Sequence, residues 1–217
     1  MAQKIEILYE DNHLIAVNKP VGLLTQPTSL VEDSLLVRLK AFIKERDHKP
    51  GRVFLEPIHR IDKPVSGVVV FAKTSKALSR LMKSIRERKC KKVYLAKVSG
   101  QLPASAGIIE HFLVHDDFRA RVVKDEKEGK KAILSYRLIK KEGPFSLLEV
   151  YLETGRYHQI RVQLAYLHCP IVGDHKYGSK ETLGENEIAL HHHSFSIPHP
   201  ITDEIITITA SKPLWAS

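Results

Sequence analysis

The residues best suited to chemistry lie in one short stretch, HRIDKPVSGVVVFAKT, at positions 59–74. Its single acid, Asp62, lies between Arg60 and Lys63 and just ahead of a strongly apolar run. In an extended chain, residues two apart point to the same side, so the Arg60 cation can stabilise the ionised form of Asp62. Such a carboxylate is either a reactive group on a rigid support or half of a surface ion pair beside a turn.

A second polar cluster occurs in LETGRYHQIRVQLAYLHCPIVGDHKYG, residues 152–178, at a predicted strand-to-helix junction. The first turn of a helix presents backbone N–H groups, which suit a phosphate or a carboxylate. Two arginines and a histidine crowd this turn, where the helix dipole disfavours positive charge, so we expect a negative partner there. An ordinary capped helix facing water fits this cluster poorly. The cluster consists of Thr154, Gly155, Arg156, His158, Gln159 and Arg161.

Hydrophobic periodicity predicts the elements that must hold these two clusters. Strands are predicted for IEILY and HLIAVNK around a turn at residues 10–12, for GVVVFAK, KKVYLAKVSG, 132–139 and 145–152, and around 189–197 and 205–210. Helices are predicted for residues 34–46 with Ser34 as cap, for a segment that begins with Ser75 as cap, and within GRYHQIRVQLAYLH. The predicted buried helix faces are Leu35, Leu39, Phe42 and Ile43; Ala77, Leu78, Leu81, Met82 and Ile85; and Ile160, Leu164 and Leu167. Many strands with a few helices set apart favour an α+β fold with a mostly antiparallel sheet.

Composition narrows the class of partner and the compartment. The 217 residues suit one domain or a compact pair of lobes, and the formal net charge of +9 favours a polyanion, with nucleic acid first. A basic solvated surface alone would also give this charge, and the basic segments 83–92 and 119–131 fit either interpretation. Two cysteines suggest a reducing compartment, and there is neither a signal peptide pattern nor an apolar run of about 18 residues. We therefore expect a cytoplasmic protein that does not enter a membrane.

Three consecutive histidines, His191, His192 and His193, suggest a metal site at first sight. Neighbouring residues of a strand point to opposite faces, so only the first and third could converge on one ion. No cysteine or acid lies nearby at a spacing typical of zinc sites. The sequence therefore predicts no metal site, and we expect the histidines to be structural.

Four motifs in register resemble the RluA-type pseudouridine synthases. They are NKPVGLL, HRID with SGVVVFAKT, KKVYLAKVSG, and LETGRYHQIRVQL with CPIVGDHKYG, and the match runs from about residue 11 to about residue 200. The resemblance implies a pseudouridine synthase-like α+β fold, a mostly antiparallel mixed sheet flanked by a few helices, with an active-site cleft across the sheet. It implies one catalytic domain over residues 1–217, without a separate N-terminal RNA-binding module. The implied reaction isomerises uridine to pseudouridine in structured ribosomal or transfer RNA, and it needs no cofactor or metal.

The resemblance also implies roles for individual residues. Asp62 matches the family's essential carboxylate, which acts on the ribose or on the base. Arg161 matches the arginine that pairs with this carboxylate, and Tyr94 matches the tyrosine that stacks on the target base. Residues expected to contact RNA are Arg60, which fills the space left by a flipped-out nucleotide, His59, Lys19, Arg156, His158 and Leu190. For His59 the alternative is a supporting role, in which it holds the loop. The sequence departs from the family pattern at Ile61, Val65 and His168, none of which is a proposed catalytic position.

Two other functions are compatible with parts of the sequence. The main alternative is an RNA-binding or RNA-folding factor on the same scaffold, whose modification activity is secondary. A metal-dependent hydrolase built on the histidines ranks far below, since it requires bound zinc. For both the pseudouridine synthase and the RNA-binding factor, the expected partner is an RNA stem-loop. We expect no obligatory protein partner and a monomeric state.

Overall fold

The chain forms two compact units in a computed structural model that describes residues 5–216. The first unit contains residues 5–90 and 192–211, and the second contains residues 91–191 and 212–216. Among the described residues, no helix is both long enough and apolar enough to cross a membrane. The prediction of one catalytic domain over residues 1–217 stays a prediction.

The first unit is an antiparallel sheet with two helices. Its strands follow the order β1-β2-β4-β10-β11, and β3 also pairs with β4. Pairing is antiparallel between β1 and β2, β2 and β4, β3 and β4, and β10 and β11. The elements are β1 (Glu6–Glu10), β2 (Leu14–Lys19), α1 (Leu35–Arg46), β3 (Glu56–Pro57), β4 (Ser66–Ala72), α2 (Ser75–Arg86), β10 (Leu190–Pro198) and β11 (Ile205–Thr209).

Burial in this unit confirms the predicted elements and corrects two details. The Ser34 side chain caps α1 by accepting a hydrogen bond from the Val37 N–H. Phe42 is wrongly predicted as a core residue, because it is 36% exposed and Leu36 is buried instead. The cap of α2 is Thr74 rather than Ser75, since the Thr74 hydroxyl accepts from the helix backbone.

The second unit is a five-stranded antiparallel sheet with one helix. Its order is β5-β9-β8-β6-β7, and each neighbouring pair is antiparallel. The elements are β5 (Lys91–Ser99), β6 (Ala106–Asp116), β7 (Arg119–Val123), β8 (Lys130–Glu142), β9 (Phe145–Leu152) and α3 (Gln159–Tyr166), with 3-10 turns at His175–Tyr177 and Leu214–Ala216. Hydrophobic periodicity does not predict β6, because its burial does not alternate regularly.

Both units are consistent with the predicted α+β class. Helix α3 buries Ile160 and Leu164 as predicted, whereas Leu167 lies just beyond the helix end and is only partly buried. In the first unit, Lys19 ends β2, and His59, Arg60 and Asp62 lie in the loop between β3 and β4. In the second unit, Arg156, His158 and Arg161 surround the start of α3, whereas Tyr94 lies within β5 and Leu190 begins β10. Most of the candidate chemistry thus lies at the ends of regular elements, where a scaffold can hold polar groups rigidly.

Candidate active site

Asp62 lies in the loop between β3 and β4 and is half-buried. Its carbonyl accepts a hydrogen bond from the Val65 N–H at 3.0 Å, which closes a turn directly before β4. On the other side, Ile61 is held by Thr25, whose hydroxyl donates to the Ile61 carbonyl at 3.0 Å. The Gly22 N–H donates to the Lys63 carbonyl at 2.9 Å. The backbone is therefore fixed both before and after Asp62, as a rigidly supported reactive group requires.

Lys19 holds the same loop from inside the unit. Its ammonium donates to the carbonyls of Pro20 at 2.9 Å, Leu23 at 2.7 Å and Lys63 at 3.2 Å, and the side chain is fully buried. Burial lowers the pKa of Lys19 to about 7, although the negative charge of Asp62 opposes this shift. The expectation that Lys19 contacts RNA phosphate does not fit this geometry, because the side chain is fully buried and its ammonium already donates to three backbone carbonyls. Lys19 instead ties the loop after β2 to the loop that carries Asp62.

Gly67 allows β4 to begin immediately after this loop. Its φ is +115°, and a Cβ atom there would lie 2.3 Å from the His192 carbonyl oxygen of β10. Only glycine combines such a backbone angle with such a close approach. Glycine at position 67 therefore lets β4 begin in close contact with the backbone of β10.

His59 and Arg60 differ in their surroundings although they are adjacent. The His59 Nε2 atom accepts from the Val70 N–H at 3.3 Å, and its ring centroid lies 4.8 Å from that of Phe195 and 5.2 Å from that of His192. The Arg60 side chain is exposed. These contacts favour a supporting role for His59 and leave Arg60 accessible to a partner.

Arg161 forms a buried, two-point ion pair in the second unit. Its Nε donates to Asp174 Oδ2 at 2.7 Å and its Nη2 donates to Asp174 Oδ1 at 2.9 Å. The side chains are 6% and 1% exposed. Asp174 is a negative partner of the kind expected for the crowded start of α3. Sequence reasoning missed this residue, although it lies in the CPIVGDHKYG motif.

A set of stacked rings lies beside this ion pair. The Arg161 guanidinium carbon lies 5.1 Å from the centroid of the Tyr177 ring, and His158 Nδ1 lies 2.9 Å from the Tyr177 hydroxyl. His158 stacks on Tyr157 with centroids 3.9 Å apart, and Tyr157 in turn contacts His115 at 4.0 Å. His158 is buried with a positive φ of 51°, so its ring belongs to the support of the site.

The start of α3 is organised by Gln159. Its Oε1 atom accepts from the Arg156 N–H at 3.0 Å and from the Thr154 hydroxyl at 2.7 Å. The Gln159 side chain therefore accepts the hydrogen bond of the Arg156 N–H, one of the backbone groups that the sequence predicts to face a bound anion. The Arg156 side chain is exposed and donates from Nε to the Lys131 carbonyl at 3.0 Å. It lines a cleft of about 490 Å³ formed mainly by β6, the loop between β7 and β8, and residues 155–157.

Tyr94 and Leu190 are buried residues of the second unit. Tyr94 lies opposite Val150 in the β5–β9 pair and is 6% exposed, and Leu190 begins β10. The histidine run that follows Leu190 includes a buried His192, whose Nδ1 lies 2.7 Å from the Val68 carbonyl oxygen. Residues 5–216 contain no group of three or more histidine, cysteine or acidic side chains able to hold a metal ion.

Each unit therefore assembles part of the predicted set. The first unit brings Lys19 beneath the loop of Asp62, next to His59 and Arg60, and the second joins Arg161 and His158 through Tyr177. Residues 13–166 match the family model described as RNA pseudouridylate synthase.

This chain belongs to the RNA pseudouridylate synthase family. The resemblance predicted from the four motifs is thereby confirmed. The chain is similar to ribosomal large subunit pseudouridine synthase D of Borreliella burgdorferi, with 36% identity over 89% of this chain and 61% of that protein. It is also similar to tRNA pseudouridine synthase C of Vibrio parahaemolyticus, with 34% identity over 96% of this chain and 90% of that protein.

Solved structures share the fold. Human RNA Pseudouridylate Synthase Domain Containing 4 superimposes with a TM-score of 0.82 at 24% identity, covering 97% of this chain and 90% of that one. This likeness confirms the predicted α+β, pseudouridine synthase-like fold. The chain spans about two thirds or less of the length of several curated relatives, including 61% of the Borreliella protein.

Proposed function

We propose that this protein is an RNA pseudouridine synthase that isomerises uridine in structured ribosomal or transfer RNA. The observation that carries the proposal is the family match over residues 13–166, which includes the loop of Asp62. The rigid support of that loop is what a reactive carboxylate needs. The curated relatives named as ribosomal large subunit and tRNA pseudouridine synthases support both RNA classes as candidates.

The reaction rearranges one nucleotide without a net change in its atoms. The bond between N1 of uracil and C1′ of the ribose breaks, the base turns, and C5 forms a new bond to C1′. The C5 proton is lost and N1 gains a proton, so the step is balanced without oxidant, water or cofactor. A carboxylate can form and release a covalent adduct, and Asp62 would do so at the sugar or at the base.

Arg161 and Tyr94 complete the proposed catalytic group. Arg161 would pair with Asp62 and hold its carboxylate ionised and oriented. Tyr94 would stack on the turned base, and its hydroxyl would handle a proton. Both assignments are supported by the motif match and by the burial of the two side chains, since a dry site strengthens such electrostatic contacts.

RNA contacts outside the chemistry are assigned by exposure and charge. Arg60 is exposed next to Asp62 and would fill the space left by the flipped-out nucleotide, which offsets part of an unstacking cost of a few kcal/mol. Arg156 is exposed at its cleft and would contact phosphate, while Leu190 would touch the base. His59, Lys19 and His158 would support these residues from within the fold. The net charge of +9 is consistent with a phosphate-rich partner.

We further infer that the protein acts as a monomer in the cytoplasm. Ribosomal and transfer RNA are found there in bacteria, and relatives are named for these RNAs. Cys90 and Cys169 are both free thiols, as a reducing compartment favours.

The deciding experiment replaces Asp62 by asparagine. We expect pseudouridine formation to fall at least about 1,000-fold, because the amide is not a nucleophile. RNA affinity should stay within about threefold, since phosphate contacts supply most of it. The measurement maps pseudouridine in cellular RNA with and without the protein, and then follows release of the C5 hydrogen from the identified RNA.

Two results would contradict this proposal. Wild-type activity in Asp62→Asn would remove the assigned role of the carboxylate, whereas the exposed control Asp116→Asn should remain fully active. Complete rescue of a deletion phenotype by Asp62→Asn would instead favour the RNA-folding alternative, in which modification is secondary.

A further inference from the structure

We propose that Asp174 is a positioning residue that fixes the plane of the Arg161 guanidinium, with the Tyr177 ring as a second contact that limits its movement. This inference rests on the proposed function and adds a role for a residue outside the catalytic group named above. Neither Asp174 nor Tyr177 is assigned to substrate here. Their action would pass through Arg161 alone.

The geometry of the ion pair carries the first step. The hydrogen bonds from Arg161 Nε and Nη2 reach different oxygens of Asp174, at 2.7 and 2.9 Å. Two parallel bonds define the orientation of a planar guanidinium, whereas a single contact would let it rotate. The side chains are 6% and 1% exposed, so water does not compete for these donors. The remainder of the guanidinium therefore points in one fixed direction.

The Tyr177 ring is a second group that limits the movement of the Arg161 guanidinium. Its ring centroid lies 5.1 Å from the guanidinium carbon, within range of a cation–π contact. The Tyr177 hydroxyl accepts a hydrogen bond from the Ala120 N–H at 2.8 Å, and His158 Nδ1 lies 2.9 Å from it. These contacts fasten the ring to β7 and to the start of α3, so the ring cannot move aside independently.

Asp174 is itself held by a stiff segment. Its N–H donates to the Ile171 carbonyl at 2.9 Å, and its own carbonyl accepts from Tyr177 at 3.0 Å and from Ser179 at 3.1 Å. The preceding Gly173 has a φ of +85°, and a Cβ atom there would lie 2.7 Å from the Glu187 carbonyl oxygen. Close packing thus fixes the backbone on which the carboxylate is carried.

A purely stabilising ion pair is the competing explanation. Buried ion pairs commonly contribute little net stability relative to apolar residues of similar volume, because desolvation offsets their attraction. A buried pair can instead be retained because it orients the groups that it joins. The two explanations differ in what they predict for turnover per folded molecule.

The test compares Asp174→Asn with the wild-type enzyme on its identified RNA. We expect kcat for pseudouridine formation to fall about 10- to 100-fold, because small misplacements of a catalytic partner have effects of this size. KM and RNA affinity should change less than about threefold, since Asp174 is buried away from RNA. Asp33→Asn is the matched control, because Asp33 also binds an arginine, Arg38, through Nε and Nη2, at 2.8 and 2.6 Å on the surface.

A double-mutant cycle distinguishes positioning from general support. Asp174→Asn should lower kcat less than about twofold in an Arg161→Lys background, because lysine cannot form the two-point pair. If Asp174→Asn does not fold, Tyr177→Leu serves as the second probe, with an expected loss of about tenfold in kcat. Tyr177→Phe keeps the ring and should lose less.

Three outcomes would overturn the inference. Wild-type kcat per folded molecule in Asp174→Asn, or in Tyr177→Leu where that variant is used, would leave Asp174 a structural residue. The same conclusion would follow if Asp174→Asn lowered kcat by its full factor in the Arg161→Lys background. A wild-type protein that forms no pseudouridine in any RNA would refute the proposed function and this inference with it, whereas the first two results leave the proposed function intact.

Discussion

Replacing Gly67 by alanine should destabilise the protein far more than the addition of one methyl group suggests. Gly67 opens β4 directly after the loop of Asp62, with a φ of +115°. The new Cβ would lie 2.3 Å from the carbonyl oxygen of His192 and 2.7 Å from its nitrogen. Both atoms belong to the backbone of β10, so no side-chain rotation can relieve the contact.

The magnitude follows from two unfavourable free-energy contributions and one favourable one. Holding a non-glycine residue in a sparsely populated backbone region costs about 1–3 kcal/mol. Forcing an extra methyl group into a packed interior costs about 1–3 kcal/mol more. The less flexible unfolded chain of the alanine variant returns about 0.4–1 kcal/mol. We therefore expect a loss of about 1–6 kcal/mol with a centre near 3 kcal/mol, against a typical total stability of about 5–15 kcal/mol.

Two other glycines separate these terms. Gly51 has neither a positive φ nor any atom within 4 Å of the place that a Cβ would take, so Gly51→Ala should be neutral or slightly stabilising. Gly143 has a φ of +59° in open space, so Gly143→Ala should show the backbone term alone, about 1 kcal/mol. Equilibrium urea unfolding followed by far-ultraviolet circular dichroism measures all three variants. A loss for Gly67→Ala no greater than that for Gly143→Ala would refute the steric argument.

Two further predictions concern the first unit. Thr74→Ala should lower the free energy of unfolding by about 1 kcal/mol, because it removes the hydroxyl that caps α2. Ser75→Ala should change the free energy of unfolding by less than about 0.5 kcal/mol. A larger loss for Ser75→Ala than for Thr74→Ala in urea unfolding would contradict the assigned cap. Lys19 has a folded pKa of about 7 against an ordinary value near 10.5, so between these pH values the unfolded chain binds the extra proton and stability rises with pH. Relative to Lys19→Met, wild-type stability should increase by at most about 1.4 kcal/mol per pH unit from pH 7 to 9, and parallel profiles would show that the pKa is not lowered.

Patterns local in the chain were enough to predict most of the secondary structure. The apolar run of GVVVFAK corresponds to the buried strand β4, and the spacing of apolar residues over 34–46 corresponds to α1 with Ser34 as its cap. Four motifs in register also predicted the family. These features depend on residues within a few positions of each other, or on a motif order that needs no coordinates.

Contacts distant in sequence decided the rest of the site. Lys19 ends a strand and carries a charge, which is typical of a surface residue, yet it is fully buried and donates to a carbonyl 44 residues away. Arg161 has a partner 13 residues further on, beyond the end of its helix, which no helical spacing relates to it.

The sequence by itself predicted most of the strands and helices, the family and Asp62 as the candidate carboxylate, because periodicity and motif order are properties of neighbouring residues. Only the tertiary structure decided which polar groups are buried together, because a charged side chain leaves water only where other segments supply its hydrogen bonds. Asp174 shows the difference. Its identity is plain in the sequence, but its role follows from the position of Arg161 in the folded chain.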